Sequence, residues 1–216
     1  MTKLVSVTVG AGELLLMSAQ ELVAYTARVS NPSNQMNMET APKLIKYLIK
    51  NKHWSPFEMA HMTVEITTSR AIAQQILRHR SFSFQEFSQR YAEATEFVEY
   101  EARSQDIKNR QNSIDNMSDD DKQWFQSVQE TNNSTCHSYY KQALARGIAK
   151  EQARFLLPLS TKTTLYMSGS IRSWIHYLDL RASNGTQKEH MDIAIAIKNI
   201  FKEQFPDIYE ALEWDK

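Results

Sequence analysis

The sequence predicts an α+β fold, with several helices packed on a small, mainly antiparallel sheet. Residues 61–68 alternate in period two, with Met62, Val64 and Ile66 on one side, which indicates a half-buried strand. Residues 40–51 instead repeat apolar side chains at helical spacing. Helices outnumber strands, and the strands lie far apart in the sequence, so they must pair over long range.

The other predicted elements follow from the same periodicities. Strands are predicted over residues 3–9 and 161–168, and helices over residues 18–28, from Ser69 to Leu77, and over residues 119–147, 150–157, 171–180 and 189–204. Ser18 with Glu21 predicts a capping box, and Gly147 is predicted as a helix C-cap. The segment 92–118 is polar and irregular, and we expect a mobile loop near the mouth of a site.

Length and charge limit the class of protein. The 216 residues suit a single domain, 1–216, and 42% apolar with 23% charged residues is typical of a globular chain. Lysine and arginine number 25, as do aspartate and glutamate, so the net charge is zero. This balance argues against a protein that coats nucleic acid or an anionic membrane.

A single cysteine, Cys136, excludes an intrachain disulfide and a thiolate zinc cluster, and it favours a reducing compartment. The first residues lack the apolar core of a signal peptide, and no apolar stretch approaches the roughly 18 residues of a membrane span. We therefore expect a cytoplasmic protein without a bound metal.

Glycine is scarce, with five residues in the chain. Gly10 and Gly12 are followed by Leu15 where a dinucleotide fingerprint needs a third glycine, and no P-loop pattern occurs. A nucleotide would therefore have to be held by side chains.

The richest chemistry lies in residues 78–91, which contain three arginines, three serines, a histidine, a carboxylate and several aromatic residues. Arginine binds phosphate oxygens in pairs and keeps its charge, and Glu86 could accept from a ribose hydroxyl or orient an arginine. The run therefore suits an anion site, although a basic helix end beside a core is an alternative.

Two further segments are less specific on their own. Residues 53–58 read as a turn whose aromatic side chains cover the core. Arg172, His176 and Asp179 share one face of a predicted helix, which could be only a solvated polar face.

In combination these segments resemble a known family. Arg78-His79-Arg80, seven further residues, Ser88 and then Arg90-Tyr91 resemble the signature of the flavin-dependent thymidylate synthases. Residues 53–58, 27–30 and 180–182 resemble other blocks of that family in the same order, over roughly residues 20–205. The rival thymidylate synthase chemistry needs an activated cysteine, and Cys136 lacks that sequence context.

The resemblance implies an enzyme that binds FAD, reduces it with NADPH, and transfers a methylene from 5,10-methylenetetrahydrofolate to dUMP, giving dTMP. It also implies a homotetramer whose active sites take residues from several subunits. The FAD contacts it implies are Ser30, His53, Ser55, Arg78, His79, Arg80, Glu86, Ser170, Arg172 and His176. The dUMP contacts it implies are Gln75, Arg78, Glu86, Phe87, Ser88, Gln89, Arg90, Arg154 and Arg181, with Ser88, Arg90 and Arg154 as a phosphate clamp.

Arg181 is the predicted catalytic group. Carbon five of uracil becomes a better nucleophile as negative charge builds on the ring, and a guanidinium beside the ring stabilises that charge. Ser88 has no obvious neighbouring base in the sequence, so we interpret it as a substrate contact. Gln85, Ala92 and Ser170 depart from the residues common in the family at those positions.

Two other interpretations remain open from the residues alone. In a nucleotide- or RNA-binding module, the arginines of the 78–91 run would bind phosphates while Phe82, Phe84 and Tyr91 stack on bases. In a helical interaction protein, the same run would be only a basic surface.

Overall fold

A computed structural model describes residues 1–183 and 185–215. The strands in this part of the chain are β1 (Thr2–Val7), β2 (His61–Ser69), β3 (Ser83–Glu86), β4 (Ser104–Gln105), β5 (Ser113–Ile114) and β6 (Lys162–Ser170). The α-helices are α1 (Ala19–Ala27), α2 (Ala41–Lys50), α3 (Arg70–Ile76), α4 (Asp119–Ala145), α5 (Lys150–Ala153), α6 (Ile171–Arg181), α7 (Lys188–Gln204) and α8 (Pro206–Ala211).

Four strands form one antiparallel sheet in the order β1-β2-β6-β3, and β4 pairs with β5 in a separate hairpin. The centre of the sheet is the long β2–β6 pair, in which His61 lies opposite Ser170 and Ser69 opposite Lys162. The predicted α+β class with a small antiparallel sheet is therefore confirmed.

Both central strands continue without a loop into a helix, and a serine marks each junction. The Ser69 hydroxyl accepts from the Ile72 amide and begins α3, while the Ser170 hydroxyl accepts from the Ser173 amide and begins α6. A serine in this position typically stabilises a helix by about 0.5–2 kcal/mol. Because β2 and β6 are antiparallel, the two helices begin at opposite ends of the sheet.

One face of the sheet packs against the helices to form the core. Met62, Val64 and Ile66 are fully buried, as their alternation predicts. Trp174 of α6 lies over them and donates its indole N–H to the Met62 carbonyl at 2.9 Å. The core thereby fixes α6, which carries several of the predicted site residues.

Most predicted elements are present within one to three residues of their predicted bounds. The Ser18–Glu21 capping box forms in both directions. Gly147 ends α4 as predicted, one residue past the C-cap position that Arg146 occupies: its φ is 80°, and its amide donates to the Leu144 carbonyl. The helix predicted over residues 150–157 is α only to Ala153 and continues as a 3₁₀ turn.

Strand β3 was not predicted, and neither were the β4–β5 hairpin and α8. Residues 92–118 are largely irregular, as predicted, but several hydrogen bonds tether them: the Val98 amide donates to the Ser160 carbonyl at 2.8 Å and the Tyr100 hydroxyl donates to Ser69. No helix within residues 1–183 and 185–215 is long and apolar enough to cross a membrane.

Gly169 leaves room for a ring that anchors the arginine-rich segment. A Cβ at this position would lie 2.5 Å from Cδ1 of Phe82, whose ring packs at 4.7 Å from that of Trp174. We expect Gly169→Ala to lower the free energy of unfolding by about 1–3 kcal/mol, because the core must shift to accept the methyl group. Urea unfolding measures this.

The Phe82→Leu background is the control for that clash. Without the aromatic ring edge, the same Gly169→Ala change should cost less stability than in the native background. An equal loss in both backgrounds would show that Phe82 is not the cause.

Candidate active site

The predicted catalytic residue Arg181 lies at the end of α6 against His79, which follows α3. The Arg181 Nε–H donates to His79 Nε2 at 3.0 Å. Burial, together with the positive charge of Arg181, lowers the pKa of His79 to about 4. His79 is therefore neutral at neutral pH, and Nε2 is available as the acceptor.

This contact leaves the outer nitrogens of Arg181 available. Within the described residues the Arg181 guanidinium forms no ion pair with a carboxylate. A guanidinium held through Nε presents its two terminal nitrogens as a planar fork, the geometry that matches a carbonyl beside a ring nitrogen.

Behind His79 lies a buried pair that the sequence analysis did not identify. The Tyr177 ring meets His79 edge-on at 4.8 Å, and the Tyr177 hydroxyl lies 3.0 Å from His190 Nε2. Burial raises the pKa of Tyr177 and lowers that of His190 to about 4, so both groups are neutral. The pair supports the His79 ring without adding charge.

A second group of predicted residues surrounds a cavity of about 520 Å³ at the start of α6. Its lining residues come from three separate segments and are Trp54, Glu58, Ser81, Arg172, Ser173, Ile175, His176 and Asp179. The turn at 53–58 and the polar face of α6, each unspecific alone, therefore meet at one site.

The Ser170 hydroxyl lies inside the protein beside this cavity. It donates to Glu58 at 2.5 Å and accepts from the amide that it caps. Its side chain is thus already engaged within the chain.

A third group gathers between the start of α3 and the end of α5. Arg70, Gln74, Gln89 and Arg154 help to line a cavity of about 320 Å³. Nearby, Glu151 contacts both predicted clamp arginines: its carboxylate forms an ion pair with Arg90 Nε at 3.4 Å, and its backbone carbonyl accepts from Arg154 Nε at 3.2 Å.

Ser88 and Glu86 belong to the same region. The Ser88 hydroxyl accepts from the Arg90 amide at 3.4 Å, which places Ser88 beside the backbone of Arg90. Glu86 accepts from Arg70 at 2.7 Å and from Thr163 at 2.9 Å. Its carboxylate orients an arginine, one of the two roles considered for it.

The remaining predicted residues lie at the surface or near it. Ser30, His53, Ser55, Arg78, Arg80 and Phe87 are exposed, whereas Gln75 is half-buried. The Gln75 amide donates to the side chain of Gln187 at 2.6 Å. The RNA-binding interpretation requires Phe82 to stack on a base. Phe82 is buried, so its ring is not free to do so.

The chemistry of the exposed arginines fits an anionic cofactor such as FAD. In residues 1–183 and 185–215, neither Arg78 nor Arg80 forms an ion pair with a carboxylate. Both follow α3 directly and lie on the segment that also supplies Ser81 to the 520 Å³ cavity. Two guanidiniums without a carboxylate partner among these residues, on a segment that reaches such a cavity, suit a pyrophosphate group.

The catalytic pair and the clamp lie at opposite ends of α3. Arg154 of the clamp lines a cavity together with Arg70, the first residue of α3, whereas His79 follows the end of that helix, whose 7 residues rise roughly 10 Å. No hydrogen bond or ion pair of the described residues joins the two groups directly.

Fold and site together define an α+β protein with a cluster of guanidinium groups, whose chemistry suits an anionic ligand, and a sequence with no glycine-rich phosphate loop. The family model described as "Thymidylate synthase complementing protein" matches residues 14–207. The chain is 58% identical over 213 residues to the probable flavin-dependent thymidylate synthase of Paramecium bursaria Chlorella virus 1, covering 98% of each chain. It is 57% identical over 198 residues to the flavin-dependent thymidylate synthase of Synechocystis sp., covering 92% of this chain and 91% of the relative.

A solved structure agrees with these matches. The UMP/dUMP methylase PolB of Streptomyces cacaoi, solved with 5-Br dUMP bound, superimposes with a TM-score of 0.84 at 27% identity, over 98% of this chain and 93% of PolB. The chain belongs to the flavin-dependent thymidylate synthase family and is an enzyme.

Proposed function

We propose that this enzyme converts dUMP to dTMP by reductive methylation. The carbon donor is 5,10-methylenetetrahydrofolate, the bound redox cofactor is FAD, and NADPH is the reductant. The observation that carries the proposal is the Arg181 guanidinium, which His79 holds through Nε beside Arg78 and Arg80 and which has no carboxylate partner among the described residues. The printed names of the relatives and the bound 5-Br dUMP of PolB support it.

Arg181 polarises or ionises the uracil ring. Neutral His79 accepts from Nε and so directs the two terminal nitrogens toward the ligand without competing for them. Charge that builds on the pyrimidine as carbon five attacks is stabilised by the guanidinium, as in an oxyanion hole. No cysteine nucleophile is needed, and Cys136 lies on α4 beside Asn132.

Ser88, Arg90 and Arg154 bind the phosphate of dUMP. A dianion facing two guanidiniums and a hydroxyl gains charge-assisted hydrogen bonds of about 1.5–3 kcal/mol each. Glu151 contacts both arginines, by an ion pair with Arg90 and through its backbone carbonyl with Arg154, so the two lie near the same residue. Gln75, Phe87 and Gln89 complete the proposed nucleotide contacts.

When bound, FAD supplies the redox chemistry of the reaction, and the chain supplies binding and orientation. Arg78 and Arg80 bind its phosphates, while Arg172 and His176 bind it from the polar face of α6. The other proposed contacts are Ser30, His53, Ser55, His79, Glu86 and Ser170.

The enzyme is proposed to act in the cytoplasm as a homotetramer whose active sites combine residues of different subunits. The separation of the two ends of α3 supports this, since the Arg181 group of one subunit and the clamp of another then face one nucleotide.

A dTMP assay with and without NADPH tests the proposal. The purified protein should be yellow with a flavin spectrum, and dTMP should form only when dUMP, the folate donor and NADPH are all present. Cys136→Ser should leave the rate unchanged, because the thiol takes no part. A colourless protein, or a yellow one that makes no dTMP, contradicts the proposed activity.

A further inference from the structure

Glu58 joins two elements at the 520 Å³ cavity with its two carboxylate oxygens. Oε1 lies 3.0 Å from Arg172 Nη1, and Oε2 accepts from the Ser170 hydroxyl at 2.5 Å. Its side chain is 38% exposed, at the end of the turn that also carries Ser55. The carboxylate therefore ties this turn to the start of α6.

The connection continues through α6 to the arginine-rich segment. The Ser173 amide donates to the Ser170 hydroxyl at 3.3 Å, and the Ser173 hydroxyl donates to the Ser81 carbonyl at 3.3 Å. Ser81 directly follows Arg80. One hydrogen-bonded chain thus runs from Glu58 to the end of the Arg78–Arg80 segment.

The chain of hydrogen bonds links three segments that are distant in sequence. They are the turn at 55–58, the segment 78–81 and the start of α6 at 170–173. Each is a segment that the proposed function assigns to FAD. No other residue among those described contacts both Arg172 and Ser170 through separate acceptor oxygens.

Resting on the proposed flavin function, we propose that Glu58 is a positioning residue of the FAD site. Its carboxylate sets the direction of Arg172 and, through Ser170 and Ser173, the place of the Ser81 backbone. Glutamine cannot replace it, because its side chain offers one acceptor oxygen where glutamate offers two.

FAD titration of the flavin-depleted, full-length protein tests this, followed by quenching of flavin fluorescence. We expect Glu58→Gln to raise the Kd for FAD at least tenfold. Glu93→Gln is the matched control, because Glu93 is also 38% exposed and pairs with a surface cation, Lys141, at 3.3 Å. The control should leave the Kd unchanged, and both variants should melt within a few degrees of the native protein.

A double variant separates positioning from general loss of structure. Ser173→Ala keeps the helical amide but removes the hydroxyl that holds Ser81, so it breaks the same chain at its other end. Because the two residues act through one network, the Kd of the double variant should not exceed that of the weaker-binding single variant by more than about twofold.

Three results would overturn the proposal. If Glu58→Gln leaves the Kd for FAD unchanged, Glu58 does not position the FAD site. If the Kd for FAD falls, Glu58 holds Arg172 away from the cofactor. If the fold-change in the Kd for FAD in the double variant equals the product of the two single fold-changes, the two residues act independently. If the native protein binds no FAD at all, the proposed function fails and this role fails with it, a result distinct from the other three.

Discussion

An Arg181→Ala enzyme is expected to retain FAD and to lose at least 10²–10³-fold in kcat for dTMP formation. Removing one preorganised donor from a site that stabilises developing charge typically costs about 2.7–4 kcal/mol. The loss should appear in kcat more than in KM, because the charge on uracil builds only as the reaction proceeds. Steady-state kinetics with saturating folate and NADPH measures it.

Two variants serve as controls for Arg181. Arg181→Lys keeps the charge but loses both the planar fork and the Nε donor to His79, so it should recover only part of the rate. Arg146→Ala removes an exposed arginine at the end of α4 and should leave kcat unchanged. Undiminished dTMP formation by Arg181→Ala would exclude the catalytic role assigned to this residue.

Arg90→Ala and Arg154→Ala should each weaken dUMP binding by about 10- to 150-fold, the loss of one charge-assisted hydrogen bond of about 1.5–3 kcal/mol. Isothermal titration measures the Kd. Deoxyuridine, which has no phosphate, provides the sharper comparison, because its affinity should be the same for the native protein and both variants.

The deoxyuridine comparison also defines the contradicting outcomes. A Kd for dUMP that does not change excludes the phosphate clamp. An equal loss for dUMP and deoxyuridine shows that the arginines support the fold of the site and do not bind the phosphate. Lys188→Gln, which breaks the surface pair of Lys188 with Asp192, is a control that should bind dUMP normally.

Sequence patterns are sufficient to predict those parts of the fold that depend on contacts between residues close in sequence. The alternation of residues 61–68 predicts the buried face of β2, and the Ser18–Glu21 pair predicts a capping box that forms. The helical spacing of Arg172, His176 and Asp179 predicts one exposed face of α6, and that face lines a cavity. Each of these depends on neighbours within a few residues.

The features that were missed depend on contacts between distant parts of the chain. Strand β3 is four residues long and exists because it pairs with β6, Phe84 opposite Met167. The Tyr177–His190 pair joins α6 to α7, and Glu58 meets Arg172 from 114 residues away. The periodicity of a single segment does not predict contacts of this kind, because each contact depends on two segments.

The site residues themselves were found through the resemblance to a family, and their roles remain predictions. The structure adds what the motif could not supply: Arg181 is oriented by His79, and the clamp arginines share Glu151. The block at residues 53–58 contains Glu58 but assigns it no role, and Arg70, which Glu86 orients, lies outside every block of the motif.

The most direct test of convergence on one nucleotide mixes two variants that are each impaired when dUMP is supplied near the Kd of the native enzyme. Arg181→Ala and Arg154→Ala subunits are unfolded together, refolded as hybrids, and assayed for dTMP beside each parent treated in the same way. If the site combines residues of different subunits, some hybrid sites regain both guanidiniums, and activity should rise well above either parent. Hybrids that assemble, as native mass spectrometry would show, but remain as impaired as the parents at that dUMP concentration would contradict the account.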